Sequence, residues 1–312
     1  MTFTLPNLPA KHEGAEAIAD QVELSCLDDG ETSIQSIANM LARDSDSSED
    51  SYSGCDDLED ELHNLVGEAF DVIGTRNSNC GSSYPFKLSD DGHTLAFDVS
   101  RPPIKDHLVY LFLLLSTRLN MNRNRNRYFH GIDGTLLLEH LSAHILRKYL
   151  GEPAEAMVIG TGRDSSFEDV VNSFCKRVGE GVRYVDHDNM GSTVKDDGLD
   201  AVAWSPFNDE RPSQLILFAQ CKTGTNWREE TKKLRPEVFC ARWFSATPLV
   251  IPVAAFCVSE SIGKNEWKAI TRGAGVFFDR SRIVQWALDV PVEILKDLKL
   301  WTISAVDCVR RV

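Results

Sequence analysis

The sequence predicts an α/β protein, with helices covering at least one face of a central sheet, preceded by an acidic and mainly helical N-terminal region. Apolar strand-like runs at residues 215–222 and 249–258 alternate with segments of helical period. With 42% apolar and 26% charged residues, 312 residues suffice to bury a core. Charge is divided sharply: residues 1–100 hold 4 Lys and Arg against 21 Asp and Glu, a net of −17, and the remainder holds 29 against 26, a net of +3.

The first region is taken as residues 1–129. Apolar residues recur at helical spacing over 34–41 and again at Leu58, Leu62, Leu65, Val66 and Ala69. Between them, about 44–61, Ser, Gly and acidic residues with almost nothing apolar give the composition of a flexible insert. Residues 92–99 alternate as a strand, Pro102-Pro103 break it, and 106–119 form an apolar run of buried-helix length. No run reaches the ~18 apolar residues of a membrane span. The N-terminus lacks the basic start and apolar block of a secretory signal. A cytoplasmic chain without a membrane partner is expected.

The second domain is taken as residues 130–312. Periodicity predicts a helix at 135–149 closed by Gly151, a strand at 157–159, and a helix at 166–178 with Phe167, Val170, Val171 and Phe174 on one side. Strands follow at 199–204 and 215–222, then a helix at 228–244, strands at 249–258 and 276–278, and a helix at 281–288. No internal repeat is visible.

Along 215–222 side chains alternate between faces, so Gln220 and Lys222 project together from the end of an apolar strand. The separation from Asp200, which follows Asp196-Asp197-Gly198-Leu199, suits a hairpin that sets Asp200 beside Gln220. The oxygens of Asp200 and Gln220 suit a hard cation such as Mg²⁺ or Mn²⁺. The Lys222 ammonium can offset negative charge on an attacking water or on pentavalent phosphorus. Glu139 sits among Leu137, Leu138, Leu141, Ile145 and Leu146, where a buried carboxylate needs a partner. A metal-bound water or the adjacent His140 would serve.

The order of these parts, Glu139 on a helix, Asp200 on a strand and Gln220-Cys221-Lys222 on the next, resembles the PD-(D/E)XK nuclease superfamily over roughly residues 130–290. The resemblance implies a restriction-endonuclease-like fold, a mixed central sheet flanked by helices. It implies metal ligation by Asp200, Gln220, Glu139 and the Cys221 carbonyl, with Lys222 orienting or activating water. The implied activity is that of a Mg²⁺- or Mn²⁺-dependent endonuclease on double-stranded DNA, in a bacterial restriction or anti-phage system, with pairing of two subunits and a regulatory or defence-system protein as partner. Two positions depart from the pattern: Leu199 replaces proline, and Gln220 stands where Asp or Glu is usual. The Q-x-K variant resembles Mrr-like restriction nucleases and anti-phage effector nucleases. A catalytically inactive subunit that binds nucleic acid or scaffolds a complex is the alternative.

Nucleic-acid contacts are expected from two places, and Asp279, Arg280 and Arg282 offer a third that reads equally as ordinary surface charge. Arg123, Arg125 and Arg127 alternate with asparagines ahead of Tyr128 and Phe129, a pattern that suits phosphates as well as a solubilising turn. Basic and aromatic residues also cluster from Trp227 to Trp243, where Arg228, Lys232 and Arg235 share one side of the expected helix. The acidic third suits occupation or repulsion of a DNA-binding face, docking of a partner, or simple solvation.

Other chemistries find little support. The eight cysteines are scattered with no CxxC pair, and Cys175, Cys257 and Cys308 read as small buried hydrophobes. His140 and His144 lack the intervening glutamate of HExxH, residues 160–165 (GTGRDS) complete neither a P-loop nor a dinucleotide motif, and no GxSxG supports Ser165 or Ser166 as a nucleophile.

Overall fold

A computed structural model of the chain describes residues 14–46, 55–160, 166–189 and 197–309. They form two compact units: one holds the residues up to Leu119 and those from Leu298 on, the other Asn120–Asp297. The division falls before the Arg123–Arg127 stretch rather than after it, and the C-terminal helix leaves the second unit for the first. No helix of the described residues is long and apolar enough to cross a membrane.

The first unit contains α1 (Ala15–Asp29), β1 (Glu31–Ser33), α2 (Ile34–Asp46), α3 (Cys55–Cys80), β2 (Lys87–Leu88), β3 (Thr94–Ala96) and α4 (Leu108–Arg118). The three short strands form an antiparallel sheet in the order β1-β3-β2. The expected flexible insert is corrected at both ends: 44–46 complete α2 and 55–61 begin α3, leaving 47–54 outside the described residues. Helix α3 therefore includes the acidic residues at its start.

Helix α1 carries Glu16, Asp20 and Glu23 at spacings of four and three, hence on one face. That face is turned inward. Arg76 of α3 places Nη2 2.8 Å from Glu16 Oε2, and Nη1 2.8 Å from Asp20 Oδ1 and 3.1 Å from Glu23 Oε1. Arg118 donates to Asp20 Oδ2 at 2.9 Å, and the Tyr84 and Tyr110 hydroxyls donate to Glu23 Oε1 at 2.8 and 2.7 Å. Asp20, Glu23 and Arg76 are all buried. A share of the acidity of this region is therefore internal structure rather than solvated surface.

The second unit runs through α5 (Asn124–Arg127), β4 (Tyr128–Phe129), β5 (Ile132–Asp133), α6 (Gly134–Leu150), β6 (Glu155–Val158), α7 (Phe167–Val178), β7 (Ala201–Ser205), β8 (Leu215–Lys222), α8 (Pro236–Trp243), β9 (Val253–Val258), α9 (Lys264–Ala274), β10 (Val276–Phe278) and α10 (Arg280–Trp286). Helix α11 (Val292–Val309) follows. The unit is mixed α/β, with a five-stranded sheet among the described residues in the order β10-β9-β8-β7-β6. β6, β7 and β8 pair antiparallel, while β8, β9 and β10 pair parallel. One face of the sheet packs Val202, Trp204, Ile216 and Phe218 against Phe174 of α7 and Phe239 and Trp243 of α8. α6 packs on β7 and β8.

Local chemistry sets the helix ends. Asp133 caps α6 by accepting from Thr135 N at 2.9 Å, and Ser166 and Asp169 form a reciprocal capping box on α7, which Gly179 ends in the left-handed region. The single helix expected at 228–244 is corrected to a 3-10 turn (Arg228–Lys232) followed by α8. Pro236 has no N–H to continue the ladder and instead opens a new helix at its first position. The strand expected from 249 begins only at Val253, after Pro248 and Pro252. Helices α1, α9 and α11 were not anticipated.

The buried ion pairs of the first unit yield one expected outcome. Arg76→Met removes the charge that Glu16, Asp20 and Glu23 share, leaving buried carboxylates under-compensated, and should destabilise the chain by about 3–5 kcal/mol. Urea unfolding checks this, and a loss below about 1 kcal/mol would contradict the role given to Arg76.

Candidate functional site

The β7–β8 pairing is the starting point. Its register runs from Ser205↔Leu215 to Ala201↔Ala219 and brings Asp200 to Gln220 one step further on. Asp200 extends the ladder past β7: its N–H donates to the Ala219 carbonyl at 2.9 Å, and its own carbonyl accepts from Ile159 N at 2.9 Å and Gly160 N at 3.3 Å. The carboxylate is fixed as well, Oδ2 accepting from Cys221 N–H at 2.7 Å. Asp200 and the Gln220-Cys221-Lys222 segment are thus joined by backbone and side chain together.

The strand row that buries Ile216 and Phe218 continues as Gln220 and Lys222. Gln220 is 1% exposed, and its Oε1 is buried without a hydrogen-bond partner among the described residues. Lys222 is partly exposed, with Nζ 3.9 Å from Glu230 Oε2. Cys221 alternates to the other face, near Ser142 of α6. The neighbouring Cys257 thiol, together with burial, pushes the Cys221 thiol well above its usual range, so its side chain is no nucleophile.

Glycines leave room for two of the expected site residues. At Gly160 a side-chain carbon would overlap Glu139 Oε2 and approach Cδ to 3.3 Å, which places the Glu139 carboxylate against a residue that is itself bonded to Asp200. At Gly198 it would lie 2.9 Å from Gln220 Nε2. Asp197 and Gly198 both have positive φ, +46° and +78°, so the chain enters β7 through a left-handed turn that glycine tolerates and aspartate tolerates less readily.

A cleft of about 510 Å³ opens over Gln220 and Lys222. Lys222, Lys233, Arg235 and Arg242 line it against Asp197 and Glu230, with Val238 and Phe239 as its apolar wall. Four cations against two carboxylates favour an anionic ligand. Arg242 donates to Asp188 at 2.7 Å and to Asp197 at 2.5 Å, while Lys233 is held by Glu230. The Lys222–Glu230 pair is long and part-exposed, a contact worth under about 1 kcal/mol.

The basic residues expected to share one helix face are separated by the break before Pro236. Arg228 turns away to Glu260 at 3.2 Å and Glu266 at 3.1 Å and stacks 5.0 Å over Trp227, and the Lys232 stem lies against Gly273. Arg235 does line the cleft. Arg127 is taken up by Asp133, donating from Nε at 2.7 Å, while Arg123 and Arg125 are exposed outside the cleft lining. Burial raises the Asp133 carboxyl, but the bonds from Arg127 and Thr135 outweigh it and hold the group at about 2. Arg127 therefore helps cap α6.

The remaining candidates are placed as follows. His144 is buried, with Nε2 2.8 Å from the Leu288 carbonyl, and His140 lies exposed on the same helix. Cys175 and Cys257 are buried and Cys308 is partly so. Residues 161–165, including Ser165, and Asp196 lie outside the described residues. Among the described residues no group of three or more His, Cys, Asp or Glu side chains is arranged to hold a metal ion. The oxygen-bearing side chains expected at the site are those of Asp200, Gln220 and Glu139. The buried, unpartnered Oε1 of Gln220 and the all-oxygen character of the set fit a hard cation.

Two contributors were not singled out beforehand. Asp197 carried a usable signal, since Asp-Gly marks a tight turn. Glu230 carried none, because its reach to Lys222 depends on the 3-10 turn.

Gly198→Ala should cost about 1–3 kcal/mol, through a left-handed φ that alanine resists and a collision with the Gln220 amide. An unfolding midpoint equal to wild type would contradict the close approach. Comparison of the chain with family models, curated proteins and solved structures finds no match.

Proposed function

We propose that the second unit is a metal-dependent nuclease centre hydrolysing phosphodiester bonds, built on the restriction-endonuclease-like version of its mixed sheet. The supporting observation is the β7–β8 pairing, which fixes the Asp200 carboxylate on Cys221 N–H and sets Gln220 and Lys222 beside it in a cationic cleft. Asp200, Gln220 and Glu139 would hold Mg²⁺ or Mn²⁺, with the Cys221 carbonyl as the further contact that the resemblance implies. The ion supplies Lewis-acid neutralisation of phosphoryl oxygens when bound.

The chain's own groups have separable tasks. Lys222, after exchanging Glu230 for the substrate phosphate, offsets the charge that accumulates on phosphorus in the transition state and orients the attacking water. Lys233, Arg235 and Arg242 line the approach and attract the backbone on either side of the reacting phosphate. Val238 and Phe239 exclude water from one wall. The proposed substrate is duplex DNA and the proposed setting is restriction or anti-phage defence, with a regulatory partner protein; these rest on the Asp200…Gln220-Cys221-Lys222 resemblance. Lys222→Ala should lower metal-dependent cleavage of supercoiled plasmid by about 10²-fold or more while leaving the unfolding midpoint in place. Retained nicking in that variant would overturn the assignment of Lys222.

A second reading, an inactive nuclease-fold subunit that binds nucleic acid or scaffolds a complex, is favoured by the neutral amide of Gln220. The two separate on thermal stability. A functional site should gain a concentration-dependent rise in Tm with Mn²⁺, and an inactive one should show none.

A further inference from the structure

A carboxylate presents two equivalent oxygens to a cation, but an amide presents one oxygen and one N–H₂ group. A glutamine in a ligand position is productive only in one orientation. Gln220 is buried to 1% exposure and its Oε1 lacks a partner among the described residues, so no hydrogen bond to that oxygen sets which way the amide faces. The constraint comes from the opposite side. Gly198 lies so close to the amide that a side-chain carbon there would be 2.9 Å from Nε2, 3.3 Å from Cδ and 3.7 Å from Oε1, with the nitrogen end nearest the turn.

The turn is held in its place by Asp197. Its Oδ2 accepts from Arg242 Nη1 at 2.5 Å and from Trp243 Nε1 at 2.9 Å, both at the C-terminal end of α8. Trp243 is itself fixed: it is 1% exposed, stacked on Tyr184 at 5.7 Å and edge-on to Phe167 at 5.2 Å. A buried indole and an arginine thus anchor a residue of positive φ, whose successor packs on the amide.

We propose that Asp197 is a positioning residue: held by Arg242 and Trp243, it fixes the Gly198 turn against Gln220 and thereby keeps Oε1 turned away from the turn as a cation ligand. This rests on the metal-site reading of Asp200 and Gln220. In this arrangement Asp197 Oδ2 is committed to two donors from α8.

The test is Mn²⁺ binding to the full chain by isothermal titration, with urea unfolding of each protein alongside. Trp243→Phe keeps the aromatic packing and removes one donor to Asp197; Asp197→Asn keeps an acceptor oxygen and removes the charge; Asp197→Ala removes both. Wild type should bind Mn²⁺, Asp197→Ala should bind about tenfold more weakly or worse, and Asp197→Asn and Trp243→Phe should fall between. A merely structural role would move the unfolding midpoints and leave the affinity of the folded protein unchanged. Equal Mn²⁺ affinity across all four proteins therefore overturns the positioning role while leaving the metal site standing. Failure of folded wild type to bind Mn²⁺ overturns the metal site itself, and the positioning role with it.

Discussion

The Asp200 carboxylate on the Cys221 amide is the interaction on which the geometry of the second unit's cleft depends. β7 begins at Ala201, and without a further tie Asp200 would be the last residue of the loop before it, free of the strand that carries Gln220 and Lys222. Its N–H and C=O extend the sheet toward β8 and β6, and Oδ2 crosses to the strand segment that the site requires. Two directional bonds to one strand fix register as well as distance. A slip of one residue would exchange the faces of Gln220 and Cys221, sending the amide under α6 and the thiol into the cleft. Small residues around the tie, Ala201, Ala203 and Ala219, permit the close packing of α6 that carries Glu139 toward Gly160.

The electrostatics of the two units follow different rules. In the first, acidic residues are drawn inside by Arg76 and Arg118, and the geometry must be exact enough to repay desolvation, which two tyrosine donors to Glu23 help to do. In the second, the Lys222–Glu230 pair at the cleft is long, part-exposed and cheap to exchange, while the Arg242–Asp197 pair is short and shares its acceptor with the buried Trp243 indole. The network of the first unit resists change and defines a unique packing. A pair of the Lys222–Glu230 kind is suited to a surface whose counter-charge must yield to a ligand.

Much of the second unit was legible because its signals are local. The alternation of Leu215–Lys222, the apolar face of α7 and the apolar period of α6 each specify an element without reference to the rest of the chain. The hairpin-like pairing of Asp200 with Gln220 followed from spacing alone and appears in the observed register. What escaped depended on context. The basic stripe of Arg228, Lys232 and Arg235 presumed an unbroken helix that Pro236 forbids, so Arg228 went to Glu260 and Glu266 instead. In the first unit, the burial of Glu16, Asp20 and Glu23 around Arg76 escaped because nothing near them in sequence announces that arginine, which lies 60 positions beyond Glu16 along the chain.

The presence of glutamine rather than a carboxylate at position 220 shifts the burden of specificity from charge to orientation. A carboxylate there would attract a cation from any rotamer and would add a negative charge to a buried position that already lies beside Asp200. The amide avoids that repulsion and its desolvation cost, but gives up symmetry and charge in return. An ion held by this set would draw its electrostatic attraction chiefly from Asp200 and Glu139, with Gln220 contributing a directed dipole. Such a dipole is only as useful as its alignment, and alignment is a property of the packing around it. That is why a left-handed turn at Asp197-Gly198, costly in itself, is compatible with a working site: the strain is localised where a side chain must be excluded so that an amide can be held.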